Sequence, residues 1–529
     1  MEALSFLARF GLSGVALAAA LGCAQAAPYR PELFAPPAAV ALIALEKAPT
    51  VAPLDFDALS LPADETSPVV ALTAARLRVT PAAPDELDLA LSLLPDNQRE
   101  LALALSDWTA APDVARDAAR RALRAKLARA YAARQFAPFW MDETGWREAA
   151  DPAITRLRAA SEDGLELRGV SIPSAQNAAS VAEELALSEA VALYAYQARG
   201  GRLEPGQLSR LIGAKPTLPD PAAAVAEVAA AGARAGETLQ SFNPPHYGYQ
   251  QLREKLVELR THRAGLPELD DRLAAAEAGL SDALPPAKAK RHRPQTPAST
   301  SQLEAEIIAN MERWRWLPRD MGEERIEVNI PDFELAVIRN GEVTHRTRVI
   351  VGKEQTPTPI FSDEMVEIIV NPSWYVPQSI IQKEWHGGVG AGYEVSYRNG
   401  QMVVRQPPGE KNALGRVKFV FPNDYAVYMH DTPSRGLFAQ THRAFSHGCM
   451  RVDQPFALAE AVLGPKSGWS EERVKRLVGA SERYINLAKP LPVHIEYFTA
   501  YVDEAGRLVQ RPDLYGYSAR VRKALGFAG

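Results

Sequence analysis

Cysteine is scarce in this chain, which has 529 residues and two cysteines, Cys23 and Cys449. One such pair does not provide the disulfide framework of a small secreted scaffold. The closely spaced cysteine pairs of structural zinc sites are absent as well. Each of the two cysteines therefore needs an explanation of its own.

An excess of positive charge is also missing. Lys and Arg together number 59 and Asp and Glu number 64, which gives a net charge of -5. Affinity for nucleic-acid phosphates depends on clustered positive charge, so the composition argues against a dedicated nucleic-acid binder. The short basic run at residues 288–293 lies among prolines and is interpreted as a solvated linker.

The N-terminus has an apolar stretch that is too short to span a bilayer. It runs from Phe10 to Gly22, follows Arg9 and precedes Ala24-Gln-Ala26. This order predicts a secretory signal peptide over residues 1–26. We therefore expect a periplasmic protein that does not span the membrane after cleavage. A lipoprotein anchored through Cys23 is the alternative.

Cleavage after Ala26 would leave Cys449 as the one cysteine of the mature chain. A single thiol in an oxidising compartment is a liability unless it is deeply buried or used in chemistry. Cys449 is therefore a candidate functional residue.

The first half of the chain is predicted to be a tether followed by a helical module. Residues 27–85 are rich in Ala and Pro, which favours a flexible tether. Residues 86–265 carry apolar side chains at helical spacing, most clearly over 114–134 and 181–199. Residues 266–300 are interpreted as a charged helix and a basic, Pro-rich linker.

Residues 301–529 are predicted to form a β-rich domain. A helix over 302–316 comes first, and Asn340-Gly341 is a strong two-residue hairpin signal. Alternating apolar and polar residues predict strands at 326–330, 333–338, 342–351, 366–370, 417–421 and 425–429. Helices at 455–462 and 470–479 follow. The predicted fold class is α+β and multidomain, with a helical module before a mixed-sheet or sandwich domain.

The segment 427–452 carries the residues best suited to chemistry. His430 ends a predicted strand, and Cys449 follows 19 residues later within Ser446-His-Gly-Cys-Met-Arg451. A thiol attacks as its thiolate, and a neighbouring imidazole can take the proton and return it to a leaving amine. Gly448 permits a tight bend that would aim nearby amides at an oxyanion. Arg451 offers a planar cation for a carboxylate or for loop carbonyls.

Other interpretations of these residues remain open on residue types alone. Cys449 can be a small buried apolar residue, and His430 a hydrogen-bonded structural one. His442, His447 and Cys449 can also be zinc ligands, although their spacing is not that of structural zinc sites.

The order His430, fifteen residues, then Ser446-His-Gly-Cys-x-Arg451 resembles the signature of the L,D-transpeptidase (YkuD-type) family. Further segments are similar to its large periplasmic members: 310–318, 327–333, 356–359, 371–377, 408–415, 491–497 and 513–516. The resemblance is close over 301–517 and looser over 86–265, where 137–140 matches the helical scaffold domain of that subgroup.

The resemblance implies a role for each matching residue. Cys449 would be the nucleophile and His430 the general acid and base. The residues expected at the oxyanion site or in positioning are His447, Gly448, Ser446 and Arg451. Tyr428 and Trp374 would line the acyl pocket, and about 378–412 would form a capping insertion.

The implied activity is peptidoglycan cross-linking between two diaminopimelate residues (3→3) through a thioester, with release of D-Ala and without a metal or organic cofactor. The expected partners are peptidoglycan stem peptides, and carbapenems would acylate Cys449. The same acyl-enzyme could instead attach an envelope protein to peptidoglycan or hydrolyse the stem. A non-catalytic wall-binding scaffold is the alternative from another class. Between His262 and Ser301 the chain lacks the small wall-binding module common in large relatives.

Overall fold

The computed structural model describes residues 91–112, 117–265, 300–384 and 389–527. The predicted signal peptide, the predicted tether and nearly all of the predicted 266–300 linker lie outside these ranges. Within the described ranges, no helix combines the length and apolar character needed to cross a membrane.

The first described part is helical, as predicted. Its helices are α1 Asp96–Ala110, α2 Ala118–Ala133, α3 Ala150–Arg158, α4 Val181–Gly200, α5 Pro205–Leu208, α6 Pro221–Ala230, α7 Ala235–Gln240 and α8 Tyr247–Gly265. A small hairpin, β1 Met141–Asp142 and β2 Gly145–Trp146, precedes α3. The long helix α4 is central because its Ala, Leu and Val side chains are buried around most of its circumference. Ser180 caps α4 by accepting a hydrogen bond from the Glu183 N–H.

Helix α9, Thr300–Trp314, leads from the helical part into the β-rich part. Leu252 and Leu256 of α8 pack in the same apolar core as Ile307 of α9 and Val328 of the sheet. The two parts therefore share buried surface.

A nine-stranded mixed sheet forms the second part. Its strands are β3 Glu324–Asn329, β4 Glu334–Arg339, β5 Glu342–Gly352, β6 Phe361–Val370, β10 Val417–Val420, β11 Met429–His430, β12 Ala444–Ser446, β13 Met450–Val452 and β14 Arg483–Glu496. Their order is β12-β5-β13-β11-β10-β6-β14-β3-β4, and β4 also pairs with β5. The sheet thus curves back on itself around an apolar core. The α+β class with a helical module and a mixed sheet is confirmed.

The remaining elements lie around this sheet. They are α11 Pro455–Leu463, α12 Glu471–Lys475, β15 Ala500–Val502, β16 Leu508–Gln510 and α13 Tyr517–Ala524. The Asn340-Gly341 hairpin between β4 and β5 is confirmed, since both residues have positive φ, 52° and 80°.

The predicted insertion at about 378–412, together with the preceding strand β7, forms a separate three-stranded sheet in the order β7-β9-β8. Its elements are β7 Trp374–Tyr375, α10 Gln378–Glu384, β8 Glu394–Arg398 and β9 Gln401–Gln406. Val376, Ile381 and Val404 give it a small core of its own.

Two predicted elements differ from the structure. The predicted strand 425–429 is reduced to Met429–His430, because the Asn423 side chain holds a loop by bonding to main-chain groups of Phe421, Tyr425 and Val427. Ala426 in that loop has φ 53°, which no strand allows. The predicted helix 470–479 is also shorter, ending at Lys475.

Candidate active site

A parallel strand pair brings the two ends of the motif together. Strand β11 pairs with β13 so that Met429 lies opposite Met450 and His430 opposite Arg451. Both methionines are fully buried in the core. Side chains alternate along a strand, so His430 and Arg451 lie on the opposite face. Cys449 directly precedes β13, next to Tyr428 across the pair.

His430 is held in one tautomer by the main chain. Its Nδ1 lies 2.6 Å from the carbonyl oxygen of Asp431. A carbonyl oxygen only accepts, so Nδ1 carries the proton and Nε2 is the basic nitrogen. Nε2 makes no hydrogen bond to any described residue, and His430 as a whole is 5 % exposed. This arrangement leaves one basic nitrogen available inside the site.

The Asp431 side chain fixes the strand end that orients His430. Its carboxylate accepts a 2.8 Å hydrogen bond from the Arg416 N–H and pairs with Arg435 at 3.1 Å. Gly415, at φ 61°, lies so close that a Cβ there would overlap this carboxylate. The glycine is therefore required for the close approach of the two chain segments.

The loop that carries Cys449 is fixed by Ser446 and Thr358. The Ser446 hydroxyl donates to the Cys449 carbonyl at 2.6 Å and accepts from the Gly448 N–H at 3.1 Å. The Thr358 hydroxyl donates to the Gly448 carbonyl at 2.8 Å. Gly448 has φ 119°, a conformation that favours glycine. The Gly448 amide is thus engaged within the loop, whereas the Cys449 N–H has no acceptor among the described residues.

Burial of the site favours a neutral resting pair of Cys449 and His430. Burial raises the pKa of the Cys449 thiol, while hydrogen bonds from Tyr428 and the charges of Lys418 and Arg451 act in the opposite direction. Burial, followed by the charge of Arg451, lowers the pKa of His430 to about 3. At neutral pH the site therefore holds a thiol beside a neutral imidazole.

Tyr428 and Trp374 connect the site to the insertion. The Tyr428 phenol interacts with both Cys449 and Trp374 by hydrogen bonding. The Tyr428 ring centroid lies 5.6 Å from that of His430. The ring centroids of Trp374 and of Tyr393 in the insertion lie 6.5 Å apart. The insertion therefore lies beside the candidate nucleophile.

Lys418 belongs to the site and was not singled out from the sequence. It lies on β10 opposite His430, with its Nζ 4.0 Å from the Tyr428 ring centroid. The alternation in Val417-Lys-Phe-Val predicts that Lys418 faces away from the core. The alternation does not indicate that Lys418 pairs with His430.

Three other residues singled out from the sequence, His447, Arg451 and His442, have different surroundings. His447 is exposed, with its Nε2 3.4 Å from Lys353 Nζ. Arg451 faces the site but donates no hydrogen bond to the loop within the described ranges, so the expected bracing is not seen. His442 contacts the Phe333 ring at 5.6 Å. Among the described residues, no three His, Cys, Asp or Glu side chains are grouped to hold a metal.

Comparisons with known proteins identify both parts of the chain. Residues 323–486 match the L,D-transpeptidase catalytic domain family (YkuD), and residues 125–256 match the Scaffold domain family. A Haemophilus influenzae protein, a candidate L,D-transpeptidase, is 33% identical over 251 residues, which is 42% of this chain and 50% of that protein. The chain thus spans about half the length of this relative.

Solved structures of L,D-transpeptidases also align with part of the chain. The enzyme from Mycobacterium smegmatis is 17% identical, with a TM-score of 0.18, over 33% of this chain and 58% of that one. Mycobacterium tuberculosis L,D-transpeptidase 1 is 16% identical, with a TM-score of 0.17, over 33% and 61%. On the two family matches, the chain carries a catalytic domain of the L,D-transpeptidase (YkuD) family, preceded by a Scaffold domain.

Proposed function

We propose that this protein is a periplasmic L,D-transpeptidase that forms 3→3 cross-links between peptidoglycan stem peptides through a thioester on Cys449. The observation that carries the proposal is the pairing of β11 with β13, which places His430 on one strand and Cys449 directly before the other, next to Tyr428. The family match over residues 323–486 supports the reaction class.

In the first half-reaction, His430 Nε2 takes the proton of the Cys449 thiol. The thiolate attacks the carbonyl between the L-centre of diaminopimelate and the terminal D-Ala of a donor tetrapeptide. The free N–H of Cys449 is suited to stabilise the oxyanion that forms. When the intermediate collapses, the amine of D-Ala leaves with the proton from His430 and a thioester remains.

In the second half-reaction, the side-chain amine of a second stem attacks the thioester. His430 takes a proton from this amine, and the Cys449 thiol is regenerated as the new amide forms. A neutral imidazole is required at the start of both halves, which agrees with the low pKa of His430. No metal or organic cofactor takes part in this sequence of steps.

Mass spectrometry of the purified protein incubated with a disaccharide-tetrapeptide tests the proposal. The expected product is a dimer lighter than two substrates by one D-Ala, absent with Cys449→Ala. The matched control is Ser467→Ala, which removes a hydroxyl from an exposed turn and should leave the product unchanged.

Other products would revise the proposal in defined ways. A tripeptide alone would keep Cys449 as nucleophile and assign hydrolysis, or an envelope protein as the acceptor. If neither product forms and no carbapenem adduct appears on Cys449, the proposed enzymatic function is overturned and a wall-binding scaffold is favoured.

A further inference from the structure

The Lys418 side chain extends over the same face of the sheet as the candidate nucleophile. In β10 it lies opposite His430 on one side and opposite Ile369 of β6 on the other. Its neighbours Val417 and Phe419 are fully buried in the core, so Lys418 extends to the other face. The Tyr428 ring contacts its ammonium group at 4.0 Å, a distance at which a ring face attracts a cation.

This ammonium group has no close carboxylate within the part of the chain that the structure describes. Among the described residues no Asp or Glu forms an ion pair with Lys418 within 4.0 Å. Glu367 of β6 and Glu482, which precedes β14, act on it only at longer range. Glu482 is already engaged by the Ser373 N–H at 2.6 Å and by the Tyr484 hydroxyl at 2.5 Å.

The groups around Lys418 show what its charge can act on. Burial lowers the pKa of Lys418, and the charge of a Cys449 thiolate is the first of the effects that oppose this shift. The interaction is mutual, since Lys418 lowers the pKa of Cys449 and also that of His430. The titratable and charged groups that act on the thiol are thus Lys418 from β10, Tyr428 from the segment before β11, and Arg451 from β13. His430 lies on the same strand face as Tyr428, two residues further along.

We infer that Lys418 is a positioning residue whose ammonium group, seated on the Tyr428 ring, stabilises the Cys449 thiolate and keeps His430 neutral. The inference rests on the proposed role of Cys449 as nucleophile. The proton balance is unchanged: the thiol proton passes to His430 Nε2 and then to the leaving amine. Lys418 keeps its own protons and supplies fixed positive charge beside the sulfur.

This charge has a second consequence, because His430 lies between two cations. Lys418 is opposite it on β10 and Arg451 is opposite it on β13. Both cations disfavour the imidazolium form that His430 takes up after removing the thiol proton. The imidazolium is therefore a strong acid towards the leaving amine, which suits the release of D-Ala.

The test is the pH dependence of Cys449 alkylation by iodoacetamide in the full chain. In Lys418→Met, the apparent pKa of the thiol should rise by about one unit or more, which makes alkylation roughly tenfold slower at a fixed pH below that pKa. Lys418→Arg keeps the cation and should restore most of the rate. Lys489→Met, which changes an exposed lysine of β14, should alkylate like the wild type.

The possible outcomes separate this inference from the proposed function. An unchanged thiol pKa in folded Lys418→Met would overturn the inference and leave Cys449 as the proposed nucleophile. A raised thiol pKa would support it even if no cross-linked product forms, because alkylation needs no peptidoglycan substrate. If Lys418→Met loses its near-UV circular dichroism, Lys418→Gln is measured instead. An unchanged thiol pKa in that variant would overturn the inference, and a raised one would support it.

Discussion

The carbonyl oxygen of Asp431 accepts a hydrogen bond from His430 Nδ1, at an N···O distance of 2.6 Å, so a main-chain atom orients the candidate base. In a Ser-His-Asp triad the orienting group is a carboxylate, and its replacement by an amide costs about 10⁴-fold in turnover. Here the Asp431 carboxylate instead bonds to the Arg416 N–H and to Arg435. The main-chain carbonyl of Asp431 therefore orients His430, while the charged side chain of the same residue bonds elsewhere.

We therefore expect Asp431→Asn to keep most of the activity. The amide oxygen can still accept from the Arg416 N–H, and the main-chain carbonyl that orients His430 remains in place. The rate of D-Ala release should fall by less than about tenfold, which corresponds to about 1.4 kcal/mol. A loss on the order of a thousandfold, with the circular dichroism unchanged, would mean that the carboxylate itself acts on His430.

The pH dependence of the wild-type thiol follows from the two shifted groups. Burial raises the pKa of Cys449 above its ordinary value of 9.0, and burial lowers the pKa of His430 to about 3. A raised thiol pKa means less thiolate at any given pH, so alkylation of Cys449 should keep accelerating past pH 9.0. His430 should remain neutral from pH 8 down to roughly pH 4.

Iodoacetamide alkylation of the unliganded protein, followed by mass spectrometry, measures the thiol directly. A thiol that reacts at a constant rate from about pH 7 upward would contradict the expected neutral pair. Such a result would indicate a thiolate–imidazolium ion pair, as in other cysteine enzymes.

Gly448→Ala tests the backbone conformation beside Cys449. Space is not limiting, because an added Cβ would meet its nearest neighbour, the Pro357 oxygen, at 3.6 Å. The strain comes from φ 119°, and such conformations cost on the order of 1–3 kcal/mol in a non-glycine residue. We expect lower thermal stability and a larger loss of D-Ala release, since the loop that aims Cys449 must shift.

The control for this substitution is Gly436→Ala. Gly436 has open space around its Cα and is not among the residues with positive φ. Both stability and activity should stay near the wild type. Equal losses in the two variants would show that the conformation of Gly448 has no special part in the site.

The motif residues were predictable from the sequence because their chemistry is local. His430 follows a short alternating run, and Cys449 has Gly448 beside it, so spacing and residue type were sufficient to select them. The hairpin at Asn340-Gly341 was predictable for the same reason, since its two residues determine the turn.

The contacts that complete the site were not predictable in this way. The pairing of Lys418 with His430 joins strands separated by the Asn423 loop, and register between strands depends on tertiary packing. Strand β14 was missed as an element because Pro490 and Pro492 interrupt its pattern, and its pairing with β6 shifts register between Asn486 and Leu491.

Thr358→Val tests how the Cys449 loop is held to the neighbouring chain. The buried Thr358 hydroxyl donates to the Gly448 carbonyl at 2.8 Å and accepts from the Gly352 N–H at 2.9 Å. Valine keeps the shape but leaves both main-chain groups unpaired, which costs about 1–3 kcal/mol for each group. We expect a lower midpoint of thermal unfolding and slower D-Ala release.

Thr344→Val is the matched control, because the hydroxyl of the exposed Thr344 bonds, among the described residues, only to the Val337 carbonyl, at 3.2 Å. Its effect on stability should stay within about 0.5 kcal/mol. A Thr358 variant as stable and active as this control would show that the loop holds its conformation without the threonine.

Arg315→Met tests how the residues that match the Scaffold domain family are joined to the chain that follows helix α9. Arg315 is 2 % exposed, and its guanidinium donates to the Asp163 carbonyl at 2.5 Å and to the Tyr249 hydroxyl at 2.9 Å. Its Nη1 lies 3.6 Å from the buried carboxylate of Glu312. Arg315→Met should lower the free energy of unfolding by about 3–5 kcal/mol, because the Glu312 carboxylate is left without its buried partner.

The loss of unfolding free energy in Arg315→Met should also depend on pH, and the direction of that dependence identifies its cause. Burial already raises the pKa of Glu312, and loss of the Arg315 charge, which opposes this shift, raises it further. The folded variant then binds a proton that the unfolded chain releases, so its stability falls as pH rises, and the loss is larger at pH 8 than at pH 5. Arg346→Met, which breaks the exposed pair with Glu334, should cost at most about 1 kcal/mol. Urea unfolding of both variants at pH 5 and pH 8 measures these losses of stability. A loss for Arg315→Met that does not change with pH would mean that the variant is destabilised by lost packing rather than by the unpaired Glu312 carboxylate.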